Sequence, residues 1–408
     1  FDYETRSVLV LPMQNKEGDI IGVLQLINRK VKPDAVVTPL NVQEVTQPYT
    51  EWDERIVRSL ASMAAISIER NQLQESIENL FEGFVKASVQ LIEQRDPTTY
   101  GHSERVAELS VCLSQAVNSA TTGPLQSIHF SDRQIQEIRY AALLHDFGEV
   151  CVPEALLGRL KKLTPEQLEI IRQRFAVAQR TLEMEAAEAK VQYLLSASTG
   201  HPTHSHQLEQ FDTQLAQTLN KLNRYWELVL EVNQPESLVT RSFQPFSDED
   251  LALLTELSQY TYRDIDGELK HLVSPEEMTH LMVPRGNLTR EERLAIESHV
   301  THSYQFLQGI PWTKQLKDIP SIVWAHHEKL DGTGYPQGLK QENIPIPSQI
   351  LAIADIYDAL TAGDRPYKQK LSVDTTLQIL KTAAAKNKIN PDLVDLFEQH
   401  RVFDVLNG

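Results

Sequence analysis

The spacing of apolar positions changes period along the chain, and each change marks an expected element. Ser7–Met13 reads SVLVLPM and Ile20–Arg29 reads IIGVLQLINR, two apolar, β-rich runs on either side of the polar break NKEGD at Asn15–Asp19. That pattern predicts strand, turn, strand. Residues 31–50 hold three of the 20 prolines and read as a loop. From about Trp52 to Gln94 there is no proline, and one long helix is expected. Within it Leu73, Ile77, Leu80, Phe84, Ala87 and Leu91 step by four and three alternately, the spacing of a coiled-coil seam. A parallel dimer helix that carries a signal along the chain fits this seam, and so does a helix packed on its own domain. Beyond Phe84, packing within the following domain is the favoured reading. From Asp96 onward the pattern is helical with short polar breaks. Ser131 is a candidate N-cap for the helix that runs through DRQIQEIRYAALLHDFGEV and ends near Gly148.

Two later segments echo each other. LTPEQLEIIRQRFAVAQRTL at Leu163–Leu182 and LTREERLAIESHVTHSYQFL at Leu288–Leu307 share a leading Leu-Thr, a Glu two positions later and their apolar spacing. Arg174 in the first stands where His299 stands in the second. Chance similarity between two amphipathic helices is the competing explanation. Glu183–Val232 reads as two helices around the loop GHPTHSHQ at Gly200–Gln207. Its three histidines could bind a metal, but the loop lacks the acids and helical platform of a built site, which favours a merely polar, exposed loop.

Composition narrows the picture. A chain of 408 residues is long enough for two or three domains, and 41% apolar with 23% charged residues describes an ordinary globular protein. No apolar run is long enough to span a bilayer, and there is no secretory signal. The chain opens at Phe1 without a Met, as a fragment of a longer protein would. Cys112 and Cys151 lack CxxC spacing, which points to a reducing cytoplasm and to thiols used as buried filler. The net charge of −17 argues against a nucleic-acid binder. An anionic substrate would need a local pocket of metal, Arg and Lys within an acidic surface.

The chemistry lies in an ordered series of histidines and acids. It runs GHSERV at Gly101–Val106, HDFGE at His145–Glu149, ESHVTH at Glu297–His302, HHEKLDGTGYP at His326–Pro336 and ADIYDALTAGDRPYK at Ala354–Lys368. A lone histidine is usually structural. Imidazoles and carboxylates brought together from several helices are what hard divalent metals need. Adjacent helical residues point about 100° apart, so a His–Asp or His–His pair can face two neighbouring metals. No dinucleotide glycine motif, P-loop or serine-nucleophile elbow is present.

With the GYP and DRPYK motifs behind it, the series resembles the HD-GYP phosphodiesterases, which open the signalling nucleotide cyclic di-GMP. The resemblance covers roughly residues 85–180 and 285–400. It implies a mainly α chain in which an all-helical HD-type phosphohydrolase domain occupies 96–408. In the family, a segment directly after the HD motif ends in a ligand histidine. Here Arg174 stands at that place and His299 comes only in the second copy, which implies a helical insertion at about 183–287. FDYET, GDIIGVLQLINRK and the helix after them resemble the second half of a GAF sensory domain. That implies a small partial GAF-like α/β segment over 1–50 and a long connecting helix over 51–95.

The resemblance implies seven metal ligands: His102, His145, Asp146, His299, His326, His327 and Asp355, with His302 in reserve for His299. His145 and Asp146 would be catalytic. Two divalent ions are implied, Fe or Mn first and Zn next. The family's third metal comes with a Glu that is Thr98 here. Arg365, Lys368 and Tyr335 match substrate-binding positions, although the extra Gly363 changes the spacing from Asp355 to Arg365. Glu149 replaces a phosphate-binding Lys; Arg159, Lys161 and Lys162 could compensate or could form an exposed basic stretch. The implied function is metal-dependent hydrolysis of cyclic di-GMP to pGpG and then GMP. The alternatives are a degenerate module that binds nucleotide or protein without turnover, and an HD hydrolase for another nucleotide. Homodimerisation through the 52–91 helix and a protein partner at the GYP loop are further expectations.

Overall fold

The structure, a computed structural model, describes residues 4–95, 100–196, 204–234, 246–363 and 370–407. The chain divides into two compact units, Phe1–Ala87 and Ser88–Gly408. In the first, β1 (Val8–Gln14) and β2 (Ile20–Ile27) form an antiparallel hairpin. Its turn is held by the Asn15 side chain, whose Oδ1 accepts from the backbone N–H of Glu17 and Asp19, and Gly18 takes a φ of +92°. Side chains alternate across the strands: Leu11 and Met13 are buried, while Val8 and Val10 face outward. After the short α1 (Val42–Val45) comes α2 (Glu51–Arg95). Met13, with Ile21 and Leu24, packs on Ala61 and Ala65 of α2. Small residues there let the hairpin approach the helix closely, which answers the marginal stability of an isolated hairpin.

The seam side chains of α2 face away from that contact. Leu73 is 62% and Leu80 75% exposed, and Ile77, Phe84 and Leu91 are exposed with them. The last turns of α2 do bury a face, but it consists of Val85, Ser88, Val89 and Ile92. The expected inward face through Ala87 and Leu91 is thus offset to its neighbours.

The second unit is built of helices. These are α3 (His102–Asn118), α4 (Asp132–Leu144), α5 (Glu154–Leu157), α6 (Pro165–Ser196), α7 (His204–Val232), α8 (Asp248–Gln259), α9 (Pro275–Leu281), α10 (Arg290–Gln308), α11 (Ile319–Trp324), α12 (Ile346–Thr361), α13 (Val373–Ala385) and α14 (Pro391–Gln399). Ser131 caps α4 in a reciprocal capping box with Gln134, as its position suggested. α3 packs against α4, α12 and α14, while α10 packs against α11 and the turn that follows α4. α12 is buried through Ile350–Ala354, so it forms the centre of the bundle. Cys112 is partly buried and Cys151 is exposed, so the expectation of two buried thiols does not hold for Cys151.

The segment between α6 and α9 gathers around a core of its own. Ile171 and Phe175 of α6 meet Tyr225 and Val229 of α7, Leu254 and Leu257 of α8, and Leu281 of α9. The all-helical expectation misses one small element here, the hairpin of β3 (Thr261–Arg263) and β4 (Leu269–His271). An Asp-Gly turn makes it: Gly267 takes a φ of +83°, and Lys270 Nζ bridges Asp264 at 2.6 Å and Asp266 at 2.5 Å. No helix among the described residues is long and apolar enough to cross a membrane.

Phe175 lies against Trp226, with ring centroids 5.3 Å apart. Phe175→Ala should cost about 3–5 kcal/mol of stability in that core. Amide exchange should show lost protection in α6 and α7 but not in α3 and α12; equal loss in all four helices would mean that this core is not separate.

Candidate metal centre

Three helix ends and two helix faces converge in the second unit. The end of α4 supplies His145 and Asp146, and the end of α11 supplies His326 and His327. His102 begins α3, while His299 and Asp355 lie within α10 and α12. Local hydrogen bonds aim the rings. His145 Nδ1 donates to the Ala142 carbonyl at 2.7 Å, His299 Nδ1 to Ile296 at 2.7 Å, and His326 Nδ1 to Val323 at 2.6 Å. A carbonyl only accepts, so each Nδ1 carries a proton and each Nε2 is the atom turned to the centre. His102 Nδ1 pairs instead with Asp358 Oδ2 at 2.7 Å.

Asp146 stands between two sets of these donors. Its Oδ1 lies 3.3 Å from His299 Nε2 and 3.8 Å from His326 Nε2. Its Oδ2 lies 3.1 Å from His145 Nε2 and 3.6 Å from His102 Nε2. Asp355 Oδ1 is 3.4 Å from His102 Nε2, and its Oδ2 is 3.9 Å from His327 Nδ1. Two groups result, Asp146 with His299, His326 and His327, and His102 with His145 and Asp355. Within each, the potential ligand atoms lie within 4.8 Å of one another. The Nε2 atoms of His145, His299 and His326 are buried without a hydrogen bond. Buried polar atoms are normally satisfied. A divalent cation would satisfy these, and imidazole with carboxylate suits Fe, Mn and Zn. The residues present fit such a metal.

The electrostatics agree. Burial opposes the Asp146 charge, yet His145, His102 and His299 outweigh it and hold the carboxyl well below its ordinary range. Burial likewise opposes ionisation of Asp355, and His102 and His327 overcome it. Burial lowers His326 strongly and takes His327 to about 4. His102, His145 and His299 go the other way: burial is again the largest influence, but neighbouring carboxylates prevail, and His299 rises to about 9.

The turn after Asp146 leaves no room for a side chain. A Cβ on Gly148 would lie 2.0 Å from the His299 carbonyl oxygen. Gly148 N–H donates to Ser303 Oγ at 2.8 Å, and Ser303 Oγ donates to the His145 carbonyl at 2.8 Å, which ties this turn to α10. Glu149 sits in the same turn, and its charge acts on His299 and on Tyr335. The GYP loop folds back on the centre: the Tyr335 ring lies 4.9 Å from the His327 ring. Glu328 holds this loop by accepting from the N–H groups of Gln337, Gly338 and Leu339. Gly334 is needed because a Cβ there would lie 2.3 Å from Lys329 N.

The remaining candidates lie elsewhere. Arg159 pairs with Glu292 at the start of α10, Lys162 Nζ donates to the Leu281 carbonyl, and Lys161 is exposed. Arg174 pairs with Glu277 at 2.6 Å, so at the repeated position the structure brings His299, not Arg174, into the centre. His302 and His206 fall outside both donor groups. Arg365, Lys368 and Thr98 lie outside the described residues. Sequence reasoning overlooked Asp358, Arg105, Ser303 and Glu328. Asp358 had a signal, since it follows Asp355 by three residues and so shares its helix face. Ser303 had none.

Proton and metal compete for His299, which holds a proton below about pH 9. Metal uptake at neutral pH should therefore release at least one proton, and apparent affinity should rise as pH rises toward 9. Calorimetry in buffers of different ionisation enthalpy reads this directly; affinity that is flat across neutral pH would contradict it.

Part of the chain is similar to known proteins. Residues 268–393 match the HD domain family. Over 153 residues the chain is 33% identical to a 3'3'-cGAMP-specific phosphodiesterase of Vibrio cholerae, covering 36% of this chain and 33% of that protein. It is 36% identical over 100 residues to a cyclic di-GMP phosphodiesterase response regulator of Xanthomonas campestris, 24% of this chain and 26% of that one. A cyclic di-GMP phosphodiesterase of Thermotoga maritima is 32% identical over 117 residues, 29% of this chain and 31% of its own length. The chain thus spans a third or less of the length of these relatives. Residues 268–393, which hold His299, His326, His327, Asp355 and the Gly334-Tyr335-Pro336 loop, thus match the HD domain family.

Proposed function

We propose that this chain hydrolyses a phosphodiester bond of a cyclic dinucleotide, with cyclic di-GMP as the first candidate, to linear pGpG and then GMP. The observation that carries the reading is Asp146, one oxygen of which faces His299 and His326 while the other faces His145 and His102. A carboxylate so placed suits a shared ligand between two cations, Fe or Mn first and Zn next. Bound there, such ions would neutralise phosphate oxygens and lower the pKa of water from ~16 to about 7.

The chain's own residues do the rest. His102, His145 and Asp355 would hold one ion, and His299, His326 and His327 the other. Their burial excludes bulk water and strengthens each electrostatic contact. Tyr335 at the rim is kept protonated, because burial pushes its hydroxyl far above the usual range and Asp355, Glu297, Asp146 and Glu149 add to the effect. It can therefore donate a hydrogen bond to a substrate oxygen. The names of the relatives support a cyclic dinucleotide and leave cyclic di-GMP and 3'3'-cGAMP both in view.

Glu149 favours a second reading, a module that binds metal or nucleotide without turnover. Its negative charge at the HD turn weakens the hold on a phosphate anion. Freshly purified protein prepared without oxygen and supplied with Mn or Fe(II) should convert cyclic di-GMP or 3'3'-cGAMP to linear product. Asp146→Ala should lose both ions and reduce turnover to background. Two ions per chain with neither substrate cleaved would favour the binding module, and metal retained in Asp146→Ala would remove Asp146 as the shared ligand.

The exposed seam of Leu73, Ile77, Leu80 and Phe84 supports pairing with a second copy of this chain. Light scattering should report a dimer at micromolar concentration, and Leu73→Lys with Leu80→Lys should return it to monomer. A monomeric parent would end this part of the proposal.

A further inference from the structure

We propose that Asp358, clamped by Arg105, is a positioning residue that governs occupancy of one of the two metal positions, the one formed by His102, His145 and Asp355. The inference rests on the metal-centre reading above and concerns residues outside the ligand set.

The anchor of each ring depends on where its histidine sits on its helix. His145, His299 and His326 each have a carbonyl three residues earlier and use it to anchor Nδ1. His102 is the first residue of α3, preceded by Gly101 with a φ of +68°. A side chain from another helix takes the role. Asp358 of α12 is buried, and its Oδ2 lies 2.7 Å from His102 Nδ1. Asp358 would be costly to bury alone, and Arg105 compensates it through Nε to Oδ1 at 2.6 Å and Nη2 to Oδ2 at 3.0 Å. Arg105 follows His102 by three residues on α3, and Asp358 follows Asp355 by three on α12. One two-helix clamp therefore fixes the ring of one ligand and the helix that bears another.

A carboxylate behind an imidazole does what a carbonyl does, and more. It fixes the proton on Nδ1, leaves Nε2 free to bind, and makes the ring a stronger donor. Without it, the proton can settle on either nitrogen, and half the ring's neutral forms turn an N–H toward the centre. Among the described residues, the hydrogen bonds of Asp358 run to His102 and Arg105, on the side of the first group, and not to His299, His326 or His327. Loss of the clamp should therefore be felt unequally by the two positions.

The test is metal stoichiometry and spectroscopy on the full chain. The parent titrated with Mn(II) should take two ions and show the spectrum of a spin-coupled pair. Asp358→Asn should take one ion at the same concentration and show the six-line signal of an isolated Mn(II), with its second binding step weakened by about 10–100-fold. Arg105→Gln, which leaves the carboxylate but removes the fork, should weaken the same step by a smaller factor and serves as the second variant if Asp358→Asn does not fold. Circular dichroism and thermal melting establish folding for each. A folded variant that takes two ions with parental affinity would overturn the inference, as would equal weakening of both steps. A parent that binds no metal would overturn the underlying metal reading instead, so the two failures are distinguishable.

Discussion

The buried carboxylate of Asp146 is the constraint to which the second unit is built. A charge taken out of water is costly unless partners surround it. Here four imidazoles lie within 3.8 Å of its two oxygens, and they come from α3, α4, α10 and the end of α11. Three of those helices begin or end at this place, and α10 passes it midway along its length. The short helices, the glycine turn after Asp146 and the buried α12 are the means by which they do so. Gly148 makes the same point from the backbone, since its turn touches the His299 carbonyl so closely that no Cβ fits.

The protonation pattern follows from the same crowding. His326 and His327 are kept neutral by burial, whereas His299, His102 and His145 are drawn toward the charged form by carboxylates. In the absence of metal, protons do part of the work of balancing Asp146 and Asp355. The centre is thus electrostatically ready for cations, and one positive charge can exchange for another without rebuilding the pocket.

Much of this was legible in the sequence because chemistry and position coincided. The hairpin, the long helix and the Ser131 cap follow from local pattern alone. All seven proposed ligands come together, including His299, found only by recognising that Arg174 occupies the corresponding place in an earlier copy. What sequence did not reveal are residues whose role depends on tertiary neighbours. Ser303 looks like any helical serine until α10 meets the turn after α4. Glu328 is one acid among 56 Asp and Glu until the GYP loop closes over it. Arg159 resembled a phosphate-binding residue, and only the packed structure shows it paired with Glu292. The β3–β4 hairpin was hidden in a helical stretch, although its Asp-Gly turn was in plain view.

Glu292 ties the extra helices to the ligand-bearing one. It closes the capping box of α10, pairs with Arg159 from before α6, and lies 3.0 Å from His280 of α9. The chain therefore leaves and re-enters the bundle through one ionic knot, seven residues ahead of His299 on the same helix. Arg159, Thr289 and Glu292 all lie outside residues 183–287, so the knot sits at the base of the excursion, and a change of length within it leaves the Arg159 pair and the cap of α10 in place.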